Sequence, residues 1–338
     1  MAMEVIDADG HIVEKDKDIR DNLSEPHCKR SGSLLPSDGQ DGSMGGRLGG
    51  LEDNDISTRL RDMDTEGINL SVLFPTSSFR MTQIMEYDYA LSYCKAYNDF
   101  ISDICKKTPR LKAIALVPFQ NVLNDSSEVV AEVNRAITKL GLVAIAVASQ
   151  GLKEHLGAKS FWPIYEELQR LNVPLCVHNR HTPPGENIYD SQVFKHAVGR
   201  PIATAIQFAG LMYAGVPEKF PKLRIAFLEC GVGWVPYWLE RLDEEYEKRA
   251  PEAPLLKGKP SEYLKRGNWF FSTEPEEEML PYVLEHLGDD SVMFASDYPH
   301  WDGMFPYAVS TIRNRKDLSE SAKKKILTDN AKRFYGWD

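Results

Sequence analysis

The sequence of 338 residues has no long apolar run, and none of its apolar stretches approaches the roughly 20 residues that a membrane-spanning helix requires. Cysteine is scarce: five residues without a Cys-x-x-Cys spacing indicate neither a disulfide framework nor a zinc ribbon. Basic residues are outnumbered, 40 Lys and Arg against 50 Asp and Glu, and the net charge of −10 disfavours nucleic-acid binding. No secretory-type segment, basic and then apolar, begins the chain. We therefore expect a cytoplasmic protein that binds neither nucleic acid nor membranes.

What the sequence does contain is a recurring series of short apolar, β-branched segments. They are nearly continuous apolar runs, which is typical of parallel strands covered on both faces. The eight candidate strands are Val5–Ile6, Leu70–Phe74, Leu111–Val117, Leu142–Val147, Leu175–Val177, Arg224–Leu228, Phe270–Phe271 and Val292–Phe294. Between them the pattern turns helical, with one apolar stripe running through Ala90, Cys94, Tyr97, Ile101 and Ile104. This alternation predicts an α/β protein, a (β/α)8 TIM barrel in one domain over residues 1–338, with a doubly wound sheet as the alternative.

One long segment fits neither the strand nor the helix pattern. Residues 31–50 contain seven Gly and four Ser, a composition that does not form a packed helix or strand. The segment belongs to a predicted insertion, residues 15–57, which follows the first strand. It should therefore hang over the carboxyl-terminal face of the barrel, where active sites of this fold lie. A mobile lid and a flexible insertion without a function are both compatible with this composition.

Histidine and acidic residues follow four of the predicted strands. These strand ends are Asp9-Gly10-His11 on the first strand, His178 on the fifth, Glu229 on the sixth, and Asp297 with the nearby His300 on the eighth. Because side chains alternate along a strand, Asp9 and His11 face the same side and can contact one cation. An acidic cluster at one rim would repel itself without such a cation. Neutral imidazole with carboxylates suits a divalent metal ion such as zinc, manganese or iron(II).

Several of these segments resemble the motifs of a known family. The motifs include Ile6-Asp-Ala-Asp-Gly-His11, Phe227-Leu-Glu-Cys-Gly231 and Phe294-Ala-Ser-Asp-Tyr-Pro-His300. With them the chain resembles, over nearly its whole length, the amidohydrolase superfamily in its branch of aminocarboxymuconate-semialdehyde decarboxylase-like enzymes (amidohydrolase family 2). The resemblance implies a (β/α)8 barrel with a divalent metal and, often, a homodimer; we also expect a small-molecule substrate. It also implies that His11, His178 and Asp297 are metal ligands.

Two positions depart from the pattern of that family. Members often open with His-x-His or with a Glu, whereas this chain has Asp9, whose carboxylate can still bind a metal. The sixth strand usually delivers a catalytic His, and the aligned residue here is Glu229. Glu229 is therefore a candidate general base, or a bridge to a second metal ion held with His181 or His300. The second arrangement would resemble the dinuclear iron oxygenases among the relatives.

The sequence thus predicts a metal-dependent hydrolase or non-oxidative decarboxylase of a small carboxylated compound. A dinuclear non-haem iron oxygenase is the alternative. A carboxylate at position 229 suits a base at neutral pH and slightly favours hydrolysis, and Arg180 with His181 could clamp a substrate carboxylate. The candidate residues are Asp9, His11, His178, Glu229 and Asp297 for one or two metal ions, Glu229, Asp297 and His181 for catalysis, and Arg180 and His300 for the substrate.

Overall fold

A computed structural model of the protein describes residues 3–36, 55–122, 126–179 and 191–337. The strands are β1 (Ile6–Ile12), β2 (Leu70–Pro75), β3 (Leu111–Ala113), β4 (Ala115–Leu116), β5 (Ile145–Ala148), β6 (Leu175–His178), β7 (Ile225–Leu228), β8 (Trp269–Thr273) and β9 (Val292–Phe294). Only Ile114 separates β3 from β4, so the two segments together occupy the third position of the barrel. The eight predicted strands are therefore all present.

The strands pair in parallel and in chain order. They form one sheet of β1-β2-β3 and a second of β4 to β9. The sheets are joined at the third position, where the amide of Ile114 donates to Leu73 O at 3.2 Å. The ring is closed by the segment after β9, because His11 N donates to Tyr298 O at 2.7 Å and Asp297 N donates to Asp9 O at 3.1 Å. The predicted TIM barrel is confirmed, and the doubly wound sheet, which has open edges, does not apply.

Helices cover the outside of the barrel. They are α1 (Asp16–Arg20), α2 (Ile56–Glu66), α3 (Tyr87–Cys105), α4 (Ser126–Thr138), α5 (Trp162–Leu171), α6 (Gln192–Phe194), α7 (Arg200–Tyr213), α8 (Val216–Lys219), α9 (Val235–Arg249), α10 (Pro260–Leu264), α11 (Leu280–Leu287), α12 (Ala308–Asn314), α13 (Glu320–Lys324) and α14 (Asn330–Tyr335). The apolar stripe predicted on α3 is buried against the strands. Local signals set the ends of α2: Asp55 accepts hydrogen bonds from the amides of Ser57 and Thr58, and Gly67 ends the helix with φ +78°.

The strands are buried on both faces, which explains their continuous apolar sequences. Every residue of β5, β6 and β7 is buried, and Phe227 stacks on Trp269 and Phe271 of the next strand at ring-centroid distances of 5.7 and 5.8 Å. This packed interior fixes the strands, so the residues at their carboxyl ends project from a rigid support.

The beginning of the predicted insertion packs on the barrel. The Arg20 guanidinium of α1 donates to the carbonyl oxygens of Arg30 and Gly32 at 2.5 and 2.7 Å, and Leu34 and Leu35 are buried. Residues 37–54, which include most of the glycine-rich segment 31–50, lie outside the described residues. Within the described ranges, no helix combines the length and apolarity needed to cross a membrane.

Candidate metal centre

The carboxyl end of β1 supplies two of the predicted metal ligands. Asp9 and His11 are each 1% exposed. The residue between them must be glycine, because a Cβ on Gly10 would come within 2.5 Å of both Asp7 Oδ2 and Ser71 Oγ. The pairing of β1 with β2 also shifts register between Asp7 and Gly10. Such irregularities change the direction of side chains, and here Asp9 and His11 both reach the interior of the barrel mouth.

His178, the last residue of β6, lies opposite β1. Its Nδ1 is 2.7 Å from the carbonyl oxygen of Asn179, and Nδ1 of His11 is 3.1 Å from the carbonyl oxygen of Pro75. A carbonyl oxygen can only accept, so Nδ1 of each ring carries the hydrogen and Nε2 remains available as a ligand. The Phe79 ring stacks on His178 at 4.5 Å between centroids and holds the orientation of the imidazole.

The ligand atoms of Asp9, His11 and His178 converge to within 4.8 Å of one another. Asp9 Oδ1 is 3.6 Å from His11 Nε2, and Asp9 Oδ2 is 3.6 Å from His178 Nε2. In the described part of the chain, Asp9 Oδ1 and both Nε2 atoms are buried without a hydrogen-bond partner. Buried polar atoms are costly when they lack partners. A divalent cation would satisfy all three, so these residues fit the expected metal ion.

Asp297 follows β9 and lies on the other side of His11. Its φ is +53°, in the left-handed region that non-glycine residues rarely adopt, and such strain concentrates at functional sites. Asp297 Oδ1 is 3.1 Å from His11 Nε2 and 2.8 Å from His300 Nδ1. The other ring nitrogen of His300 is 3.0 Å from Thr76 Oγ1. His11, Asp297 and His300 form a second group with metal-ligand spacing, which shares His11 with the first.

Glu229 follows β7 and also has a left-handed backbone, with φ +57°. Its Oε2 is 3.1 Å from His178 Nε2, and its Oε1 accepts a hydrogen bond of 2.9 Å from Arg200 Nη1 on α7. The two side chains of this ion pair are 8% and 7% exposed. Glu229 therefore lies beside the predicted ligand His178, with one carboxylate oxygen occupied by a guanidinium.

The neighbouring charges keep both strand-end carboxylates ionised. Burial raises the pKa of Glu229, but the positive charge of Arg200 and the neighbouring histidines lower it by more, so the net pKa is below the usual value. Burial also opposes ionisation of Asp297, yet His300 and His11 hold its pKa well below the ordinary range. A carboxylate with a lowered pKa is a weaker proton acceptor at neutral pH.

The same interactions favour protonation of two histidines. Burial lowers the pKa of His178, while the negative charges of Asp9 and Glu229 raise it, with a net increase. Burial also lowers the pKa of His300, but the negative charge of Asp297 raises it by more, so the pKa of His300 rises to about 9. Because a protonated ring nitrogen cannot bind a metal, binding of a cation to Nε2 of His178 should release a proton.

The barrel thus brings together six residues that the sequence placed at strand ends. They are Asp9, His11, His178, Glu229, Asp297 and His300. Their proposed roles in metal binding, catalysis and substrate binding stay predictions. Arg180 and His181, predicted to bind the substrate or take part in catalysis, lie outside the described residues.

Three further residues near the site are not among those predicted to have a role there. Arg200 directly precedes residues 201–217, which contain no charged residue. A charge next to such an uncharged stretch was a signal by which the sequence could have indicated a role for Arg200. Thr76, which contacts His300, follows β2 and has no comparable signal. The third is Glu274, after β8, where the surrounding protein and then the negative charges of Asp297 and Glu229 raise its pKa.

A barrel with buried histidine and carboxylate ligands at its strand ends defines a class of metal-dependent enzymes. A family model described as amidohydrolase matches residues 6–337 of this chain. The chain therefore belongs to the amidohydrolase family, and it is an enzyme of that superfamily, as the sequence motifs predicted.

Curated relatives match most of the chain. A 2-amino-3-carboxymuconate-6-semialdehyde decarboxylase of Dictyostelium discoideum is 25% identical over 294 residues, which cover 84% of this chain and 77% of the relative. A gamma-resorcylate decarboxylase of Polaromonas sp. strain JS666 is 26% identical over 294 residues, covering 82% of this chain and 86% of the relative.

Solved structures share the fold. The dihydroxybenzoic acid decarboxylase of Polaromonas sp. JS666, determined with bound manganese and the inhibitor 2-nitroresorcinol, superimposes with a TM-score of 0.74. It is 21% identical, and the match covers 99% of this chain and 97% of that one. Membership of the amidohydrolase family, together with the candidate ligands Asp9, His11 and His178, confirms the expectation of a divalent metal cofactor.

Proposed function

We propose that the protein is a metal-dependent, non-oxidative decarboxylase of a small aromatic or conjugated carboxylate. The observation that carries the proposal is the buried cluster of Asp9, His11 and His178, whose converging oxygen and nitrogen atoms lack hydrogen-bond partners among the described residues. The names of the two curated relatives support decarboxylation as the reaction. The substrate class follows from the same names and from the aromatic inhibitor in the related structure.

In this proposal Asp9, His11, His178 and Asp297 hold one divalent ion. The ion would act as a Lewis acid that polarises the substrate oxygen atoms bound to it. A single ion is favoured because both groups with ligand spacing include His11, whose Nε2 can bind only one metal. Manganese is the preferred candidate, since a related structure contains it, and zinc and iron remain alternatives.

The protein residues must also supply a proton. In a non-oxidative decarboxylation the bond between the carboxylate and the substrate carbon breaks, carbon dioxide leaves, and a proton replaces it on that carbon. Asp297 and His300, joined by a hydrogen bond of 2.8 Å, hold a proton at His300 Nδ1 within reach of the site. We propose that this pair protonates the substrate carbon, with Thr76 orienting the imidazole through His300 Nε2.

The pairing of Glu229 bears on the choice between decarboxylation and hydrolysis. The sequence argument for hydrolysis took Asp297 or Glu229 as the base that activates water, and the presence of Glu229 slightly favoured this reaction. Its carboxylate is ionised and hydrogen-bonded to Arg200, and a base with a lowered pKa takes up a proton poorly. We propose that Glu229 instead contributes negative charge beside the metal ion, since its Oε2 lies 3.1 Å from His178 Nε2, the atom proposed to bind that ion. This role does not require Glu229 to bind a metal.

A substrate panel tests the proposed reaction. The purified protein, loaded with Mn²⁺, is incubated with 2,6-dihydroxybenzoate and other hydroxybenzoates, and carbon dioxide and the decarboxylated phenol are quantified. We expect both products in equal amounts without oxygen consumption, and none from the His178→Ala variant. Hydrolysis of ester or amide substrates without carbon dioxide release would overturn the decarboxylase. Two irons per chain with oxygen uptake would favour the dinuclear oxygenase and would overturn the assignment of a single ion.

We also propose that two copies of the chain associate, as the family resemblance implies. Four apolar residues on the outward face of α6, α7 and the π-helical turn between them (Lys195–Gly199) follow one another in steps of four. They are Phe194, Val198, Ile202 and Ile206, which are 38%, 41%, 42% and 53% exposed. A helix that is apolar on its outward face is usually buried by a partner. These four residues form an uncharged ridge that can pack against the same ridge of a second copy across a two-fold axis. Because the chain has a net charge of −10, its charged surfaces are less suited to such close contact.

Sedimentation equilibrium tests the association. We expect a dimer for the wild type and a monomer for Ile202→Glu, which would bury two charges in the interface. Met85→Glu is the matched control, since Met85 is 56% exposed and lies before α3. A monomeric wild type, or equal dimerisation of the two variants, would exclude this face.

Three expectations from the sequence are carried forward as proposals. The chain 1–338 is one catalytic domain, the insertion 15–57 closes over the mouth as a lid, and Arg180 and His181 bind the substrate carboxylate or take part in catalysis. Protection of residues 31–50 from proteolysis by a bound 2-nitroresorcinol would support the lid, and unchanged cleavage would exclude it. The cytoplasmic location also stays a prediction.

A further inference from the structure

Helix α2 turns three charged residues towards the barrel. Arg59, Asp62 and Glu66 are 5%, 9% and 8% exposed. Their spacing of three and four residues places them on one face of the helix. Burial of charged groups is unfavourable unless each has a partner, so the contacts of these three side chains indicate what the buried face of α2 does.

Arg59 contacts the strand that carries two of the proposed metal ligands. Its guanidinium donates a hydrogen bond to the carbonyl oxygen of His11, 48 positions earlier in the chain. The same guanidinium lies over the Tyr298 ring, 5.1 Å from its centroid. Arg59 therefore touches both sides of the seam that closes the barrel, β1 and the segment after β9.

Asp62 contacts the second side of that seam. It accepts a hydrogen bond of 2.5 Å from the hydroxyl of Tyr298, the residue after Asp297. The backbone oxygen of Tyr298 in turn accepts a 2.7 Å hydrogen bond from the amide of His11. A short chain of contacts thus runs from α2 through Tyr298 to the backbone of both His11 and Asp297.

Glu66, on the same face, has different partners. Its carboxylate accepts from the amides of Ala308 and Val309 at 3.0 and 3.1 Å, in the first turn of α12. Among the described residues, the Glu66 carboxylate forms these hydrogen bonds with α12 and none with β1 or with residues 295–300. Glu66 is therefore an internal comparison for Arg59 and Asp62: a buried charge of the same helix face that ties α2 to a helix rather than to the seam.

We infer that Arg59 and Asp62 are positioning residues of the metal centre, which set the relative placement of His11 and Asp297 by tying α2 to both sides of the barrel seam. The inference rests on the proposed role of His11 and Asp297 as ligands. Groups that orient metal ligands typically change metal affinity by about 10–100-fold when they are removed. Loss of either contact should therefore weaken metal binding beyond any general loss of stability.

The test compares matched apolar substitutions of similar size: Asp62→Leu and Arg59→Met against Glu66→Met. The dissociation constant for Mn²⁺ is measured by competition with a chelator, and the Tm of the metal-free protein is measured in parallel. We expect Asp62→Leu and Arg59→Met to raise the dissociation constant by about 10–100-fold. Glu66→Met should lower Tm but leave the dissociation constant within about twofold of wild type, as a purely structural residue would.

Conservative variants keep the test decisive if an apolar variant fails to fold. Asp62→Asn retains an oxygen acceptor for Tyr298 and should recover most of the affinity, whereas Tyr298→Phe removes the donor and should resemble Asp62→Leu. Equal affinity of Tyr298→Phe and wild type, or equal weakening by Glu66→Met, would overturn the positioning role. A wild-type protein that binds no Mn²⁺, Zn²⁺ or Fe²⁺ would instead overturn the metal centre, and this inference with it.

Discussion

Replacement of Arg200 by Met removes one partner of a buried ion pair while keeping a side chain of similar length. Arg200 and Glu229 are 7% and 8% exposed, and the variant leaves the Glu229 carboxylate buried near the like charge of Asp297. Breaking a buried pair in this way costs about 3–5 kcal/mol. His178, 3.1 Å from Glu229, remains as a partial partner, so we expect a loss near the lower end, about 3 kcal/mol.

This loss can be read as a change in melting temperature. An unfolding entropy of about 2.1 cal/mol/K per residue amounts to about 0.7 kcal/mol/K for the whole chain, so a loss of about 3 kcal/mol lowers Tm by about 4 °C. The assay is calorimetry of the metal-free protein at pH 7. The pKa of Glu229 is lowered in the folded protein, so its contribution is present above its ordinary value of 4.5 and is lost as the pH falls. The difference between wild type and variant should therefore shrink below pH 4.5.

The double variant Arg200→Met/Glu229→Met is the control. Removing both charges leaves no uncompensated group, so its Tm should lie closer to that of wild type than the Tm of Arg200→Met does. A Tm for Arg200→Met within about 1 °C of wild type, equivalent to less than 1 kcal/mol, would refute the reasoning. Strict additivity of the two single substitutions would also refute it, because the two groups would then not interact.

Three other predictions concern the metal centre. His11→Ala and His178→Ala should each lose the metal and the activity while the barrel stays folded. Elemental analysis measures the metal content and circular dichroism checks the fold. Normal metal content in both variants would end the assignment of these ligands. Glu229→Gln should keep the metal and slow turnover by much less than the roughly 10²–10⁴-fold that loss of a proton-transfer group costs; a loss of that size would restore Glu229 as the base, and a lower metal content would make it a ligand. The raised pKa of His300, about 9 against an ordinary 6.5, stabilises the metal-free protein below pH 6.5, and this stability is lost as the pH rises through 9. The Tm of metal-free wild type should therefore fall over this range more steeply than that of His300→Gln, and parallel curves would show that the interaction of His300 with Asp297 contributes nothing.

The order of strands and helices could be predicted from the sequence because the signals for them are local. Strands such as β6 are covered on both faces and therefore read as continuous apolar runs. The helix α3 has one buried face and shows the helical spacing of its stripe. The TIM barrel followed from the number and alternation of these elements, without any knowledge of which residues touch.

The candidate metal ligands could be predicted for a related reason. In a parallel barrel every strand ends at the same rim, so polar residues just after strands meet whatever their separation in the chain. Asp9, His178 and Asp297 are far apart in the sequence. In the structure all three lie beside His11. What the strand ends did not reveal was how their charges are balanced.

Those balances depend on the tertiary structure alone. Arg200 reaches Glu229 across 29 positions and Arg59 reaches His11 across 48, and both arginines lie on helices whose sequence pattern reports only burial or exposure. The residues after a strand reveal that a carboxylate lies at the rim of the barrel. They do not reveal whether it is a free base, a metal ligand or one half of an ion pair. That depends on which side chain of another element lies within about 3 Å. Such a contact requires the rotation and packing of a particular helix on the barrel, which are properties of the whole folded chain.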